Sequence, residues 1–328
     1  ETNTQYFLED TNYTNKQVVT NTQKNQNHAF DLRLNQKLDS LTDLTIKPKI
    51  KYNTTQGSNF QNDDFISATD ELTRQTIIHN QSETETVDAS VQIKVNRNFL
   101  KKNRFLTVTY QPSYYSNTSN SLLNTDFIYL KKQLPKSSLD QQRKQENLRV
   151  EQYAFVSYTE PWTKKFKTEV NYSFSDNQTN NNRTTSASRG PHSTLYPSTL
   201  SNNFENKRQT NKVGTKLIYE VKKYRLTVGT SYRNVFQQNI NITTGQKLQQ
   251  SVNNILPSAS FNYRPNQGSN LSVFYNSSSQ QPELTQMQPV ADNTDPNRIV
   301  IGNPALKPTF SNNGNVNYYF YKGVSDRN

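Results

Sequence analysis

Several residue types that build familiar functional sites are missing or scarce in this chain of 328 residues. It has no cysteine, one methionine, one tryptophan, three histidines and nine glycines. The absence of cysteine excludes disulfide frameworks, thiolate metal sites and cysteine nucleophiles. No apolar run approaches about 18 residues, which excludes a membrane-spanning helix. Only 31% of the residues are hydrophobic, too few for the near-continuous apolar strands of an ordinary α/β enzyme.

Polar amides, aromatic residues and positive charge are abundant instead. Asparagine and glutamine supply 72 residues, and there are 19 tyrosines and 16 phenylalanines, more aromatic residues than disordered chains usually carry. The net charge is +12, which favours an anionic partner. The basic residues form small groups at turns, not one block, so no nucleic-acid partner is predicted.

Hydropathy alternates with a period of two, which predicts β-strands. In one segment Leu106, Val108 and Tyr110 alternate with polar residues, and in another Val170, Tyr172 and Phe174 do so. About eleven such segments occur, and no convincing amphipathic helix is found. The sequence therefore predicts an all-β protein.

The strands and their connections have the proportions of a transmembrane β-barrel. Many strands run about nine to eleven residues, the length that a tilted strand needs to cross the bilayer core. Their apolar faces tend to end in tyrosine or phenylalanine. Short turns alternate with long polar loops, predicted at 53–86, 112–147, 175–210, 233–254 and 276–313. These features predict an antiparallel up-and-down barrel with short periplasmic turns and long extracellular loops. The alternative is a soluble, secreted β-rich binding protein whose aromatic residues pair across strands.

Four segments carry a family resemblance. They are YTEPWTKK (158–165), NILPSASFNYRP (254–265), QPELTQMQPVADNTDPNRIVIGNPALKP (281–308) and the pair LRLNQKLDS (32–40) with LTIKPKIKY (44–52). The ordered combination of QMQPV, DNTDP and GNPALKP in the third segment resembles the late barrel region of TonB-dependent receptors, in particular their outer-membrane β-barrel subfamily. The resemblance covers roughly residues 28–321.

The resemblance implies a domain organisation. Such receptors have a signal peptide, a plug domain and a 22-stranded barrel, so about eleven strands are roughly half a barrel. We expect a connecting loop or linker over 1–27, a barrel segment over 28–321 and a truncated or continuing tail over 322–328. No signal peptide or plug is recognised in the sequence. Because an open sheet edge is costly in lipid, we expect an internal piece of a longer protein, or a chain that another chain closes.

The resemblance also assigns structural motif residues, and the loops supply candidate contacts. The motif residues are Thr159, Glu160, Pro161, Gln286, Pro289, Gly302, Asn303, Pro304, Lys307 and Pro308. Gly302 can adopt a positive φ there, and the prolines stiffen the chain. The candidate substrate contacts are the loop tyrosines Tyr114, Tyr115 and Tyr196. Trp162, in a short turn, is predicted to anchor the periplasmic interface.

Catalytic, metal and cofactor sites are not predicted. His28, His79 and His192 are isolated and lack metal-ligand spacing. The stretch 292–297 is rich in oxygen ligands but lacks the glycine and terminal glutamate of a calcium loop, so turn formation explains it better. The chain is therefore not expected to be an enzyme.

Basic residues are predicted on the face that lines the barrel interior. They are Lys47, Lys49, Lys51, Lys94, Lys165, Lys167, Lys216 and Arg225. They either favour anionic solutes or pair with plug carboxylates and remain hydrated.

The resemblance implies a function in the outer membrane of a Gram-negative cell. The chain would be the barrel part of a TonB-dependent transporter that imports a large or scarce nutrient, such as a glycan, peptide or metal chelate. Its implied partners are outer-membrane lipid, a plug domain or remaining barrel strands, and the TonB energy complex, with a surface lipoprotein as a further candidate. The alternative is a barrel without transport activity that acts as a scaffold subunit or adhesin.

Overall fold

The protein is almost entirely β in the part of the chain that its computed structural model describes. That part comprises residues 2–7, 12–130, 136–189, 192–194, 201–266, 268–282, 284–287, 292–295, 298–303 and 305–321. The strands are β1 (Thr2–Phe7), β2 (Asn12–Asp31), β3 (Leu34–Lys37), β4 (Thr42–Ser67), β5 (Leu72–Asn98), β6 (Phe105–Tyr129), β7 (Ser137–Pro161), β8 (Phe166–Arg189), β9 (His192–Thr194), β10 (Asn202–Glu220), β11 (Tyr224–Asn241), β12 (Lys247–Asn266), β13 (Ser269–Gln280), β14 (Asp292–Asp295), β15 (Arg298–Val300) and β16 (Thr309–Phe320). One helical turn, α1 (Leu284–Met287), follows β13. None of the helical residues described forms a segment long and apolar enough to cross a membrane.

The main sheet is an antiparallel meander. Its strands are hydrogen-bonded in the order β1-β2-β4-β5-β6-β7-β8-β10-β11-β12-β13-β16, with β3 paired to β4 and β9 to β8. Among the described residues, β14 and β15 form the one pair outside this sheet. In the described part of the chain, extensive contacts occur only between strands that are hydrogen-bonded to each other. No second sheet of that part therefore packs against the main sheet. The prediction of an antiparallel up-and-down β fold is confirmed, and the sheet is open between β1 and β16 in the described residues.

The strand register collects the apolar residues on one face of the sheet. A single row of facing residues crosses eight strands and contains only apolar residues and tyrosine. The row runs Leu44, Val95, Val108, Val156, Tyr172, Val213, Tyr232 and Ile255. We call the face that carries this row the outer face. Side chains alternate along a strand, so one register fixes the orientation of every residue in the row.

The adjacent row points to the opposite face, which we call the inner face, and is polar with one exception, Phe155. It runs Thr45, Lys94, Thr109, Phe155, Ser173, Lys212, Arg233 and Asn254. The two rows are one residue apart on every strand, so a one-residue slip anywhere would mix them.

Burial shows which way the sheet curves. The described strand residues that are apolar and buried all lie on the inner face. They are Phe65, Ile78, Leu123, Phe204, Ile218, Val235 and Leu256. On β12 the adjacent residues Ile255 and Leu256 are 69% and 7% exposed. Side chains crowd together on a concave face and spread apart on a convex face, so the inner face is the concave one.

The strands extend far beyond the predicted lengths. The longest, β5, has 27 residues, or about 90 Å at about 3.3 Å per residue. Most of the predicted loop 53–86 is therefore a paired hairpin, in which only 68–71 separate β4 from β5. The same is true of the predicted loop 112–147, where β6 and β7 continue to pair.

Side-chain hydrogen bonds explain why hydropathy missed these extensions. Thr84 and Ser119 share a 2.9 Å hydrogen bond across β5 and β6, and Asn117 Nδ2 donates to Thr86 Oγ1 at 2.9 Å. Polar residues occupy both faces there, so no apolar alternation marks the strand, although the backbone pairing continues.

The first residues also differ from the prediction. Residues 12–27, expected to form a connecting loop or linker, lie in β2 and pair with 53–67 of β4. The extension of β4 presents unpaired backbone groups at its edge, and a polar strand satisfies them as well as an apolar one does.

Candidate functional site

The connection between β13 and β16 folds onto the inner face of β11. Met287 of α1 is 2% exposed, and its Sδ lies 3.8 Å from Nε2 of Gln237. Gln237 and its inner-face neighbour Val235 are 5% and 1% exposed. A described part of the segment 281–308 therefore lies against the concave wall of the sheet. We call the segment 281–308 the inner segment.

One backbone hydrogen bond joins two distant parts of the inner segment, and a side-chain hydrogen bond supports it locally. Asn303 N–H donates to the carbonyl of Gln286 at 2.7 Å, and Ala305 N–H donates to Asn303 Oδ1 at 2.9 Å. The predicted motif residues Gln286 and Asn303 are thus brought together, whereas Lys307 is exposed. Gly302 does not use its conformational freedom, because Gly245 is the one described glycine with a positive φ, 72°.

Some predicted residues lie outside the described part of the chain. These are Tyr196, Pro289 and Pro304. The first part of the stretch 292–297, for which turn formation was predicted, forms β14 and pairs with β15, and 296–297 lie outside the described residues. Within the described residues no group of three or more acidic or histidine side chains could hold a metal ion.

The two described candidate tyrosines face opposite sides of the sheet. Tyr114 lies on the outer face, 44% exposed, between Ala89 and Val150 in the register. Tyr115 lies on the inner face, where the guanidinium of Arg149 sits 4.9 Å from its ring centroid. Both were predicted as loop residues, but they belong to β6. Only Tyr115 lines the concave side, so only it keeps the geometry of an interior contact.

The Thr159-Glu160-Pro161 motif ends β7 and joins two turns. Glu160 Oε1 accepts hydrogen bonds from Lys101 Nζ at 2.6 Å and Arg104 Nη2 at 2.8 Å. Both donors come from the β5–β6 turn at 99–104. Tyr158 Oη donates to Glu160 Oε2 at 2.6 Å. Thr159 is buried and 1% exposed, and Pro161 is opposite Lys167 on β8. The motif therefore fixes neighbouring hairpins at their short-turn end.

Trp162 lies in the next turn, at 162–165. Its side chain is 65% exposed, and its Nε1 donates to Thr168 Oγ1 at 2.9 Å. This fixed, exposed indole at the short-turn end has the geometry expected of an interface anchor.

The ion pairs at Glu160 perturb its ionisation. Hydrogen bonds from Arg104, Lys101 and Tyr158 lower the pKa of Glu160 from 4.5 to about 2. A carboxylate with a lowered folded-state pKa stabilises the fold at pH values above its ordinary pKa. That contribution is lost as the pH falls through the folded-state pKa.

We expect Glu160→Gln to lower the thermal unfolding midpoint of the protein in detergent at pH 7. Glutamine cannot form ion pairs with Lys101 and Arg104. The difference from wild type should persist down to about pH 4.5 and then shrink towards pH 2, because the wild-type carboxylate itself becomes protonated there. Circular dichroism melts across this pH range measure the effect.

Glu85→Gln is the matched control for this experiment, since it removes a carboxylate that forms no ion pair in the described chain. A difference between Glu160→Gln and wild type that is still undiminished at pH 2 would contradict the assigned role.

The predicted interior basic residues lie on the inner face, with one exception. Those on the inner face are Lys47, Lys49, Lys51, Lys94, Lys167, Lys216 and Arg225. Lys165 lies in the 162–165 turn instead. Further inner-face cations were missed, including Arg149 and Arg208 and, beside the outer row, Lys212 and Arg233. Each of the last two is adjacent to an outer-row residue, Val213 and Tyr232, so the alternation that identified those residues could have found them.

Three solved structures that this chain resembles are described as a transporter, a receptor and an import receptor. They include the ferric citrate transporter FecA in its unliganded form, at 12% identity and a TM-score of 0.41, covering 81% of this chain and 44% of that chain. BauA, the ferric preacinetobactin receptor from Acinetobacter baumannii, has 8% identity and a TM-score of 0.42, covering 92% and 51%. The ferric-catecholate import receptor Fiu from K12 E. coli has 10% identity and a TM-score of 0.40, covering 94% and 56%. This chain spans about half the length of these structures.

Sequence comparison gives the family. No curated protein matches the chain. Residues 97–325 match the outer membrane protein beta-barrel family. This match covers more than half of the chain and includes β6 to β16, the region that contains most of the outer row. The chain therefore belongs to the outer membrane protein beta-barrel family.

Proposed function

We propose that the chain is the barrel part of a TonB-dependent transporter that imports a nutrient too large or too scarce for diffusion through porins. In this proposal the chain supplies the wall of the barrel and its strand extensions, and it carries out no covalent chemistry. The nutrient is a glycan, a peptide or a metal chelate, the classes that the motif resemblance implies.

The observation that carries the proposal is the two-faced sheet. The eight-residue outer row presents a continuous apolar surface, which fits outer-membrane lipid. The inner row beside it is polar and fits a wet interior. Val170 and Val213 are each 50% exposed on the outer face, a costly arrangement in water that lipid relieves.

The inner segment favours transport over a purely structural barrel. It contains the residues that most resemble the late barrel region of TonB-dependent receptors, and its Met287 packs on the concave wall. A segment that packs on the interior wall is useful where passage must be controlled. A scaffold or adhesin needs only the extensions that project from the membrane.

The partners follow from the same proposal. The open edges at β1 and β16 pair with the remaining barrel strands, since unpaired backbone groups are costly in lipid. A plug domain fills the interior, and the TonB energy complex moves it. A surface lipoprotein is a further candidate partner for the extended ends of the strands.

Growth tests of the bacterium that carries the gene can establish the function. We expect deletion of the gene to slow growth when one nutrient class is limiting, whether iron chelates, glycans or peptides. Deleting the TonB energy complex should cause the same defect, and deleting both should cause no additional one. Growth curves in media limited for each class measure this.

Two results would contradict the proposed transport. One is a gene deletion without any nutrient-specific defect, and the other is a defect that adds to that of the energy complex. Loss of another surface protein from the deletion strain, without a growth defect, would favour the scaffold or adhesin function.

A further inference from the structure

Basic residues concentrate on the inner face of two neighbouring strands, β10 and β11. Lys212 and Arg233 face each other directly in the register, which places their Cβ atoms about 5 Å apart. Arg208 and Lys216 lie on the same face of β10, each about 13 Å along the strand from Lys212. Arg225 continues the set on β11. We call these five residues the basic site.

The nearby carboxylates do not neutralise the centre of this site. Glu169 accepts a 2.9 Å hydrogen bond from Lys216 Nζ, and Glu220 accepts one of 2.9 Å from Lys167 Nζ. Among the described residues no carboxylate forms an ion pair with Lys212, Arg233 or Arg208. Like charges directly opposite each other destabilise a sheet, so the pair of Lys212 and Arg233 has an electrostatic cost.

Two glycines lie beside these cations and leave the inner face of the sheet without a side chain there. Gly214 is two residues from Lys212 and Gly229 is opposite Lys216, both on the inner face. A Cβ at Gly229 would lie 2.9 Å from Lys216 Cγ and 2.9 Å from the carbonyl oxygen of Thr215. The missing side chain leaves room for the Lys216 stem, and the ammonium group of Lys216 pairs with Glu169, its register partner on β8. Of the five residues of the basic site, Lys216 pairs with Glu169 and Arg225 faces Glu220 in the register. The cations of this site that form no ion pair in the described chain and lie near one another are Lys212, Arg233 and Arg208.

Arg233 is held in place by the strand beyond its neighbour. Its Nη1 donates to the carbonyl oxygen of Ser279 on β13. This hydrogen bond uses one of the five N–H donors of the guanidinium and leaves the charge unneutralised. Arg233 is thus partly oriented before any ligand arrives, which reduces the entropy lost on binding.

We propose that the basic site binds a small solute with two or more negative charges, phosphate or carboxylate, on the inner wall of the barrel. Arginine recognises such groups with a planar fork, and lysine adds a compact charge. Lys212 and Arg233 are close enough to share one such group, and Arg208 lies within reach of a second. This inference deepens the proposed function, because it names the charge class of the imported solute.

Binding of inorganic pyrophosphate tests the proposal on the whole protein, purified in detergent from outer membranes. We expect the double variant Lys212→Gln/Arg233→Gln to weaken binding at least about tenfold, because two charge-assisted contacts are lost. The matched control is Lys207→Gln, which removes a β10 cation from the outer face. Equilibrium dialysis with labelled pyrophosphate at two salt concentrations measures the affinity, and heat-shifted electrophoretic migration confirms that each variant is assembled.

If the double variant does not assemble, the single variant Lys212→Gln replaces it in the binding measurement. We expect Lys212→Gln to weaken pyrophosphate binding by a smaller factor than the double variant. A wild-type protein that binds no pyrophosphate would overturn the proposal and would point to carboxylates of the protein itself as the occupants of the site. Equal weakening by Lys207→Gln would also overturn it, since the effect would then be one of net charge. These outcomes do not depend on uptake, so the transport proposal stands or falls separately.

Discussion

Replacing Val108 with arginine should strongly reduce assembly of the protein in the outer membrane. Val108 lies in the middle of the outer row, between Val95 and Val156, and is 38% exposed. A charge on the lipid face near the bilayer midplane costs about 2–4 kcal/mol. The amount of folded protein in the outer-membrane fraction, judged by heat-shifted migration, measures the loss.

Thr107→Arg is the control for this experiment, because it places the same side chain one residue away on the inner face. Thr107 pairs with Asn96 and Ser157 and donates a 3.0 Å hydrogen bond to Asn96 Oδ1. We expect Thr107→Arg to assemble much better than Val108→Arg, since its charge stays in the polar interior. Val170→Arg on β8 should behave as Val108→Arg does. Equal tolerance of arginine on both faces would refute the assigned orientation of the sheet.

Replacing Met287 with alanine should release the inner segment from β11. Met287 is almost fully buried against Gln237, and truncating a buried methionine costs about 2 kcal/mol or more. When a segment must open before it is cleaved, the cleavage rate follows the free energy of opening. Lowering that free energy by about 2 kcal/mol makes cleavage roughly 30-fold faster. Tryptic cleavage after Arg298, which Ile299 follows, reports the change in the purified protein.

Ile301→Ala is the matched control for the inner segment, because Ile301 is an apolar residue of the same segment that is 64% exposed. It should leave the cleavage rate close to that of wild type. If both variants speed cleavage equally, Met287 is not the anchor of the segment, and the support that its packing gives to transport is lost.

The outer row could be predicted from the sequence because it depends on alternation alone. Leu106, Val108 and Tyr110 on β6 share a face whatever the partner strand is, since side chains alternate along any strand. The same reasoning placed seven of the eight predicted basic residues on the inner face. It did not extend to Lys165, because a turn has no fixed alternation.

The strand extensions and the substrate-contact candidates were not predictable in this way. The hairpin of β4 and β5 continues to Ser67 and Leu72, and its middle part, 53–59 paired with 80–86, has polar residues on both faces and so shows no apolar alternation. Tyr114 and Tyr115 were therefore placed in a loop, although they lie on opposite faces of β6. Their difference depends on orientation within a strand whose existence the composition did not reveal.

The sequence by itself determined the all-β architecture, the apolar and polar faces and the family resemblance, because each follows from the order of residues along one strand or motif. Only the tertiary structure decided how far the strands run, which residues face each other and where the inner segment rests. Lys212 meets Arg233, and Met287 meets Gln237, across separations of 21 and 50 residues. Such contacts arise from strand register and sheet curvature, which depend on the pairing of whole strands and leave no local mark in the sequence.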